Sequence, residues 1–155
     1  VYDYLQYIEE AGICDMVSRY DIRGKRVLAH EEKAYVCDLG FFHLKKNRIK
    51  EEYNYIIETI CYNELIARGY HVYVGKTYRG EVDFIAERGT KKCYFQATYL
   101  LSNETVEERE FGAYKGIEDN YPKYVISMDP ITVSRDGIIH KNLVDFLLED
   151  EKDLK

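Results

Sequence analysis

The chain contains no tryptophan and no C-x-x-C pair, and no apolar run approaches the roughly 20 residues needed to span a bilayer. A membrane partner is therefore not expected. Cys14, Cys37, Cys61 and Cys93 lie far apart, each in an apolar-periodic segment. That usage fits small buried hydrophobes of a reducing compartment, not a disulfide frame or a zinc site. Signal-peptide and lipidation patterns are also missing, which points to a cytoplasmic location. There is no G-x-x-x-x-G-K-[ST] phosphate loop, so this segment does not hydrolyse ATP by that route. His30, His43 and His71 have no cysteine or histidine at ligand spacing, and His140 stands beside Lys141; none is assigned a metal. No Ser/His/Asp set or nucleophile elbow is recognisable. An excess of positive charge is lacking too: the formal net charge is -6 and the pI about 5.3. That balance argues against a protein whose main business is wrapping duplex DNA.

What is present is ordinary in amount and uneven in placement. The 155 residues, 46% hydrophobic and 32% charged, suffice for one sizeable core, or one medium domain plus a fragment. Sixteen tyrosines favour amphipathic packing without naming an activity. One compact basic run, Lys45-Lys46-Asn47-Arg48-Ile49-Lys50, interrupts the acidic background. Lys45, Lys46, Arg48 and Lys50 are the nucleic-acid candidates, although such a run is more often a solvated loop. The first residue is Val1, and the chain opens directly inside an amphipathic pattern, as expected of a piece of a longer polypeptide.

Along the chain, Tyr4, Leu5, Tyr7, Ile8 and Ala11 keep helical spacing up to Gly12. Residues 13–20 and 26–30, around Arg23-Gly24-Lys25, read as a hairpin. A helix followed by a two-stranded wing is the closing half of a winged helix, so residues 1–32 are expected to be a partial winged-helix segment and 33–155 a second domain. In the latter, residues 51–68 make a long helix ended by Gly69. The period then changes to two, giving strands over 71–74, 81–86 and 93–100. Ser102-Asn103 caps a helix over 104–118, and residues 124–128 form an apolar strand of the parallel, central kind. A short extended segment at 138–140 and a helix ending at Leu148 follow. The order is α-β-β-β-α-β-(β)-α, an α/β sandwich on a mixed sheet.

Three polar residues fall on this layout in a telling way. Glu58 lies on the long helix, Asp83 on the second strand and Gln96 on the third, where a Mg²⁺-dependent phosphodiesterase needs clustered oxygen ligands and a nearby lysine. Period two puts Glu81 on the same face as Asp83, and Thr98 on the face of Gln96. The arrangement resembles the PD-(D/E)xK nuclease superfamily, a restriction-endonuclease-like α-β-β-β-α-β fold. The resemblance makes Glu58 the helix Glu, Asp83 the strand Asp, Gln96 the E position and Thr98 the K position. Two positions match and two depart, so metal binding would fall to Glu58, Asp83 and Gln96. A neutral amide is a weaker ligand, and Thr98 supplies no positive charge. Lys92, Arg109 or Lys115 could stand in for the lysine. No cofactor is expected; Mg²⁺ is the metal the altered site would take if it still binds one.

The strings Lys33-Ala34-Tyr35-Val36-Cys37-Asp38-Leu39-Gly40, Arg68-Gly69-Tyr70-His71-Val72-Tyr73, Glu81-Val82-Asp83-Phe84-Ile85, Glu108-Arg109-Glu110-Phe111-Gly112-Ala113 and Asp119-Asn120-Tyr121-Pro122-Lys123-Tyr124 carry a closer likeness. Together they resemble the C-terminal domain of unknown function of prokaryotic AAA-type ATPases. In that family an ATPase core and a winged helix precede a nuclease-like domain, and members commonly lack the complete catalytic set. The resemblance implies a catalytically inactive nuclease-fold module of an ATPase. Its partners would be the ATPase core of the same chain and DNA or another protein. An active Mg²⁺-dependent DNA nuclease and an oligomerisation domain are the alternatives.

Overall fold

Ile57, Cys61 and Leu65 recur every four residues along one helix and are all buried, which fixes the face that the helix lays on a sheet. In the computed structural model, which describes residues 2–44 and 51–150, this helix is α2 (Glu51–Ala67). It ends where Gly69, at φ +77°, turns the chain back so that the amide of Tyr70 donates to Leu65 O at 3.0 Å. The other elements are α1 (Tyr2–Glu10), β1 (Cys14–Asp21), β2 (Arg26–Val36), β3 (His71–Thr77), β4 (Gly80–Arg88) and β5 (Lys91–Ala97). After them come α3 (Glu104–Gly112), β6 (Lys123–Ser127), β7 (Ile138–Asn142) and α4 (Leu143–Leu148), with a 3₁₀ turn at Leu39–Leu44.

The strands form one seven-stranded mixed sheet in the order β2-β1-β3-β4-β5-β6-β7. β3, β4 and β5 are an antiparallel meander, while β6 runs parallel to both β5 and β7, as its unbroken apolar run predicts. One face, with Tyr35, Val74, Phe84, Phe95 and Ile126, packs under α2 and α4. The other, with Val82, Ile85, Tyr94 and Val125, packs under Phe111 and Tyr114. Tyrosines are part of this packing: Tyr35 stacks on Tyr62 with ring centroids 4.6 Å apart.

Two expectations change. The hairpin is not a separate wing, because β1 pairs in parallel with β3, Arg19 opposite Val74 and Asp21 opposite Lys76. Val17 and Tyr35 on that hairpin are buried in the core under α2, so the boundary set at 32 falls inside β2. What reads as a break after His30 is an irregular stretch of β2: the register jumps between Ser18 and Tyr20, and His30 has φ +63°. Second, Cys37 is exposed, unlike Cys14, Cys61 and Cys93, and all four thiols are free. Element ends also shift: β2, β3 and β4 run longer than the spacing predicts, whereas two others end early. β5 stops at Ala97 and α3 at Gly112. The basic run at 45–50 lies outside the described residues.

Removing residues 1–32 tests the continuity of the sheet. The fragment would lose β1 and most of β2 and leave β3 as a bare edge. It should show no cooperative thermal melt, whereas a melt like that of the whole chain would mean that the hairpin is an independent wing.

Candidate functional site

The site forms where β4 is irregular. Tyr73 pairs with Ile85 and Gly75 with Val82, so Asp83 and Phe84 together oppose Val74. This bulge re-aims one side chain: it lets Asp83 turn toward α2 beside Phe84. There the carboxylates of Glu58, Glu81 and Asp83 lie within 4.8 Å of one another. Of the residues singled out in the sequence, Glu58 and Asp83 are thus brought together, and Glu81 joins them as a third acid.

Gln96 and Thr98 are placed beside this cluster and engaged elsewhere. The Gln96 amide oxygen accepts from the backbone N–H of Asp83 at 3.2 Å. Asp83 Oδ2 in turn accepts from the Ala97 amide at 2.8 Å, so the β4–β5 pairing continues through side chains past its last backbone rung. Thr98 is buried, with its hydroxyl 3.3 Å from Asn54 Oδ1, which also accepts from the Tyr99 amide at 2.8 Å. That turn toward α2 is why the strand predicted to reach residue 100 stops short.

The cation comes from an unexpected element. Lys33 on β2 shares a face with Tyr35, two residues on, and both reach Glu58. The Lys33 ammonium bonds the Glu58 carboxylate and lies 3.0 Å from Glu81 Oε1. The Tyr35 hydroxyl donates to the same Glu58 oxygen, and Arg19 on β1 binds the other oxygen of Glu81. Burial acts to lower the Lys33 pKa, but the Glu58 and Glu81 carboxylates outweigh it and the net shift is upward. Asp83 moves up as well, first through burial and then through the Glu58 charge, against the Ala97 N–H and Lys33. Two carboxylates therefore face two cations, and the third acid is held toward its neutral form.

The lysine substitutes named from spacing are engaged elsewhere. Lys92 pairs with Glu87 at 3.1 Å, Arg109 with Glu110 at 2.5 Å and Lys115 with Glu108 at 3.8 Å. Sequence spacing could not find Lys33, because the signal is tertiary: it depends on the hairpin joining the same sheet as β4. The alternation of Lys33 with Tyr35 was the local hint.

A serine, a histidine and an aspartate do meet, at Ser127, His140 and Asp129. The polarity is wrong for a nucleophile. The Val133 amide donates to His140 Nδ1 at 2.9 Å, so the ring proton sits on Nε2 and points to Ser127 Oγ, 2.8 Å away. Ser127 then donates to Asp129 Oδ2 at 2.7 Å. His140, with its free nitrogen already accepting from Val133, does not take the serine proton, and the trio joins β6 to β7.

No family model and no solved structure matches the chain. It is similar to a protein of Haemophilus influenzae named only as uncharacterized, with 35% identity over 150 residues, covering 94% of this chain and 36% of that protein. The chain thus spans about a third of that relative's length.

The Asp83 environment fixes a sign. Its folded-state pKa is raised, so below the ordinary value of 3.8 both states hold the proton and nothing is lost. As pH climbs from there through the folded-state pKa, the unfolded chain ionises more readily and stability falls. Asp83→Asn should therefore melt higher than wild type at pH 8, with the gap closing toward pH 4. An unchanged gap would place Asp83 in contact with water.

Proposed function

We propose that this chain is a nuclease-fold module of a larger AAA-type ATPase in which an internal lysine has taken the metal's place, and which works by holding a partner. The observation that carries this reading is the Lys33 ammonium seated on both Glu58 and Glu81. A Mg²⁺ ion needs close oxygen ligands on every side. At about 4 Å from an ammonium, with an effective dielectric near 20, it would meet a repulsion of about 8 kcal/mol. The lysine would have to leave before the ion could settle. Its departure would strip Glu58 of its counter-charge and leave Glu81 with Arg19 alone, next to buried Asp83. Gln96 and Thr98 fit this reading, since one supplies no charge as an acceptor and the other no cation. The meander β3-β4-β5 followed by α3 and a parallel β6 supports the nuclease-like fold. The greater length of the Haemophilus relative, together with the sequence strings that resemble the ATPase family, supports a larger parent.

A second reading is favoured by the mutual approach of the three acids within 4.8 Å. In it, Glu58, Glu81 and Asp83 would hold Mg²⁺, which would supply Lewis-acid polarisation of a phosphodiester, and Lys33, released from the acids, would stabilise the attacked phosphate. Supercoiled plasmid incubated with Mg²⁺ or Mn²⁺ separates the two. The proposal expects no nicking above that of Asp83→Ala; nicking lost in both Asp83→Ala and Lys33→Met would establish the second.

Metal affinity provides a further check. Lys33→Met should cost about 1–3 kcal/mol of stability, since it leaves the buried Glu58 carboxylate without a cation. It should also let Mn²⁺ raise the melting midpoint, by about 2–4 °C for each kcal/mol of binding. Wild type should not respond. A wild-type midpoint that climbs with Mn²⁺ would contradict a lysine in the metal's place.

A further inference from the structure

Two turns stand side by side at the end of the sheet where β1 and β3 finish. Asp21 Oδ1 accepts from the amides of Arg23 and Gly24 at 3.1 and 3.0 Å. Thr77 Oγ1 accepts from those of Arg79 and Gly80 at 3.2 and 3.1 Å. Each turn is thus shaped by the last side chain of its own strand. The Ile22 amide donates to Lys76 O at 3.1 Å and holds the turns together.

Two cavities open here and share Thr77. The one of about 420 Å³ runs past Arg79 to Glu81, Gln96 and α3, and the one of about 670 Å³ lies between Arg23, Lys25 and Gly116. Their charges are not balanced alike. Glu81 is held by Arg19 and Lys33, Glu108 by Lys115 and Arg135, and Asp119 by Lys123. Among the described residues, Arg23, Lys25 and Arg79 have no carboxylate partner, and of the lining acids only Glu118 lacks a cation. An acidic chain of net charge -6 therefore presents free cations around a concave surface, which is complementary to a polyanion.

Tyr78, 68% exposed, lines the larger cavity next to the shared Thr77. The Arg79 guanidinium lies 5.2 Å from its ring centroid. Its ring edge rests on Gly116, where φ is +93° and an added Cβ would come within 2.9 Å of the ring. The glycine lets the backbone support an aromatic side chain that buries little of its own surface. An exposed ring beside Arg79 that lines one cavity with Arg23 and Lys25 is suited to a chain of phosphates that carries unstacked bases.

We propose that this end of the sheet binds single-stranded nucleic acid, its phosphates facing Arg23, Lys25 and Arg79 and one base stacked on Tyr78. The inference rests on the reading of the domain as a partner-binding module and names the partner. Duplex fits less well, because its bases are already stacked and cannot use the ring. A single free nucleotide would leave one of the two cation groups unmet.

The test is fluorescence anisotropy of the 155-residue chain with labelled oligothymidylate of about 15 nucleotides, in Mg²⁺ buffer at low salt. Arg23→Glu, Lys25→Glu and Arg79→Glu together should weaken binding at least about tenfold and flatten the log-log salt slope by about 2. Tyr78→Ala should weaken it about tenfold with the slope unchanged, and Tyr78→Phe should restore it. The proposal is overturned by undetectable binding, by tighter binding to a duplex of equal length, or by full affinity in the triple variant. Full affinity in Tyr78→Ala, with inorganic polyphosphate competing equally per phosphate, would reduce the site to a plain polyanion surface and also overturn it. A gel of the recovered oligonucleotide keeps the two readings apart. Cut product contradicts the non-hydrolytic module and leaves the binding site standing, whereas intact but unbound oligonucleotide rejects the binding site alone.

Discussion

The Lys33 ammonium between Glu58 and Glu81 is the contact on which the arrangement of this domain turns. It joins β2, α2 and β4, elements far apart in the chain, at a half-buried point where three acids would otherwise repel one another. Like charges at this spacing in a low-dielectric setting cost several kcal/mol. Neighbouring groups complete the balance: Arg19 takes the free side of Glu81, Tyr35 donates to Glu58, and Asp83 is driven toward its neutral form by burial. The β4 bulge that aims Asp83 at this group also places Phe84 in the core under α2. Packing and electrostatics therefore share one irregularity.

Much of this architecture was legible in local pattern. The α2 stripe of Ile57, Cys61 and Leu65, the Gly69 stop, the period-two meander and the apolar β6 each follow from spacing that a single element imposes. Glu58 and Asp83 were legible as a pair only through the nuclease-like layout that the sequence resembles, since their approach is tertiary. What spacing could not show was which sheet the first hairpin joins. Residues 13–36 alternate as any exposed hairpin would, and only Val17 and Tyr35, buried against α2, distinguish a sheet edge from a wing. Lys33 was missed with it. The role of Gln96 was hidden for a different reason: an amide that accepts from the Asp83 backbone has the same sequence signature as a weakened metal ligand.

The free cations at the two turns and the neutralised acids beneath them are two sides of one charge distribution. Around the acid cluster, each negative group has found an internal partner. At the rim, among the described residues, Arg23, Lys25 and Arg79 have no carboxylate partner. A scaffold whose central charges are satisfied from within keeps its outward positive charge available to a partner, as the proposed binding role requires.

The most direct measurement is a crystal structure of the chain grown in millimolar Mn²⁺ and read by anomalous scattering at the manganese edge. The account predicts no anomalous peak among Glu58, Glu81 and Asp83, with the Lys33 amine still on both glutamates. A peak at that point with Lys33 displaced into solvent would contradict it.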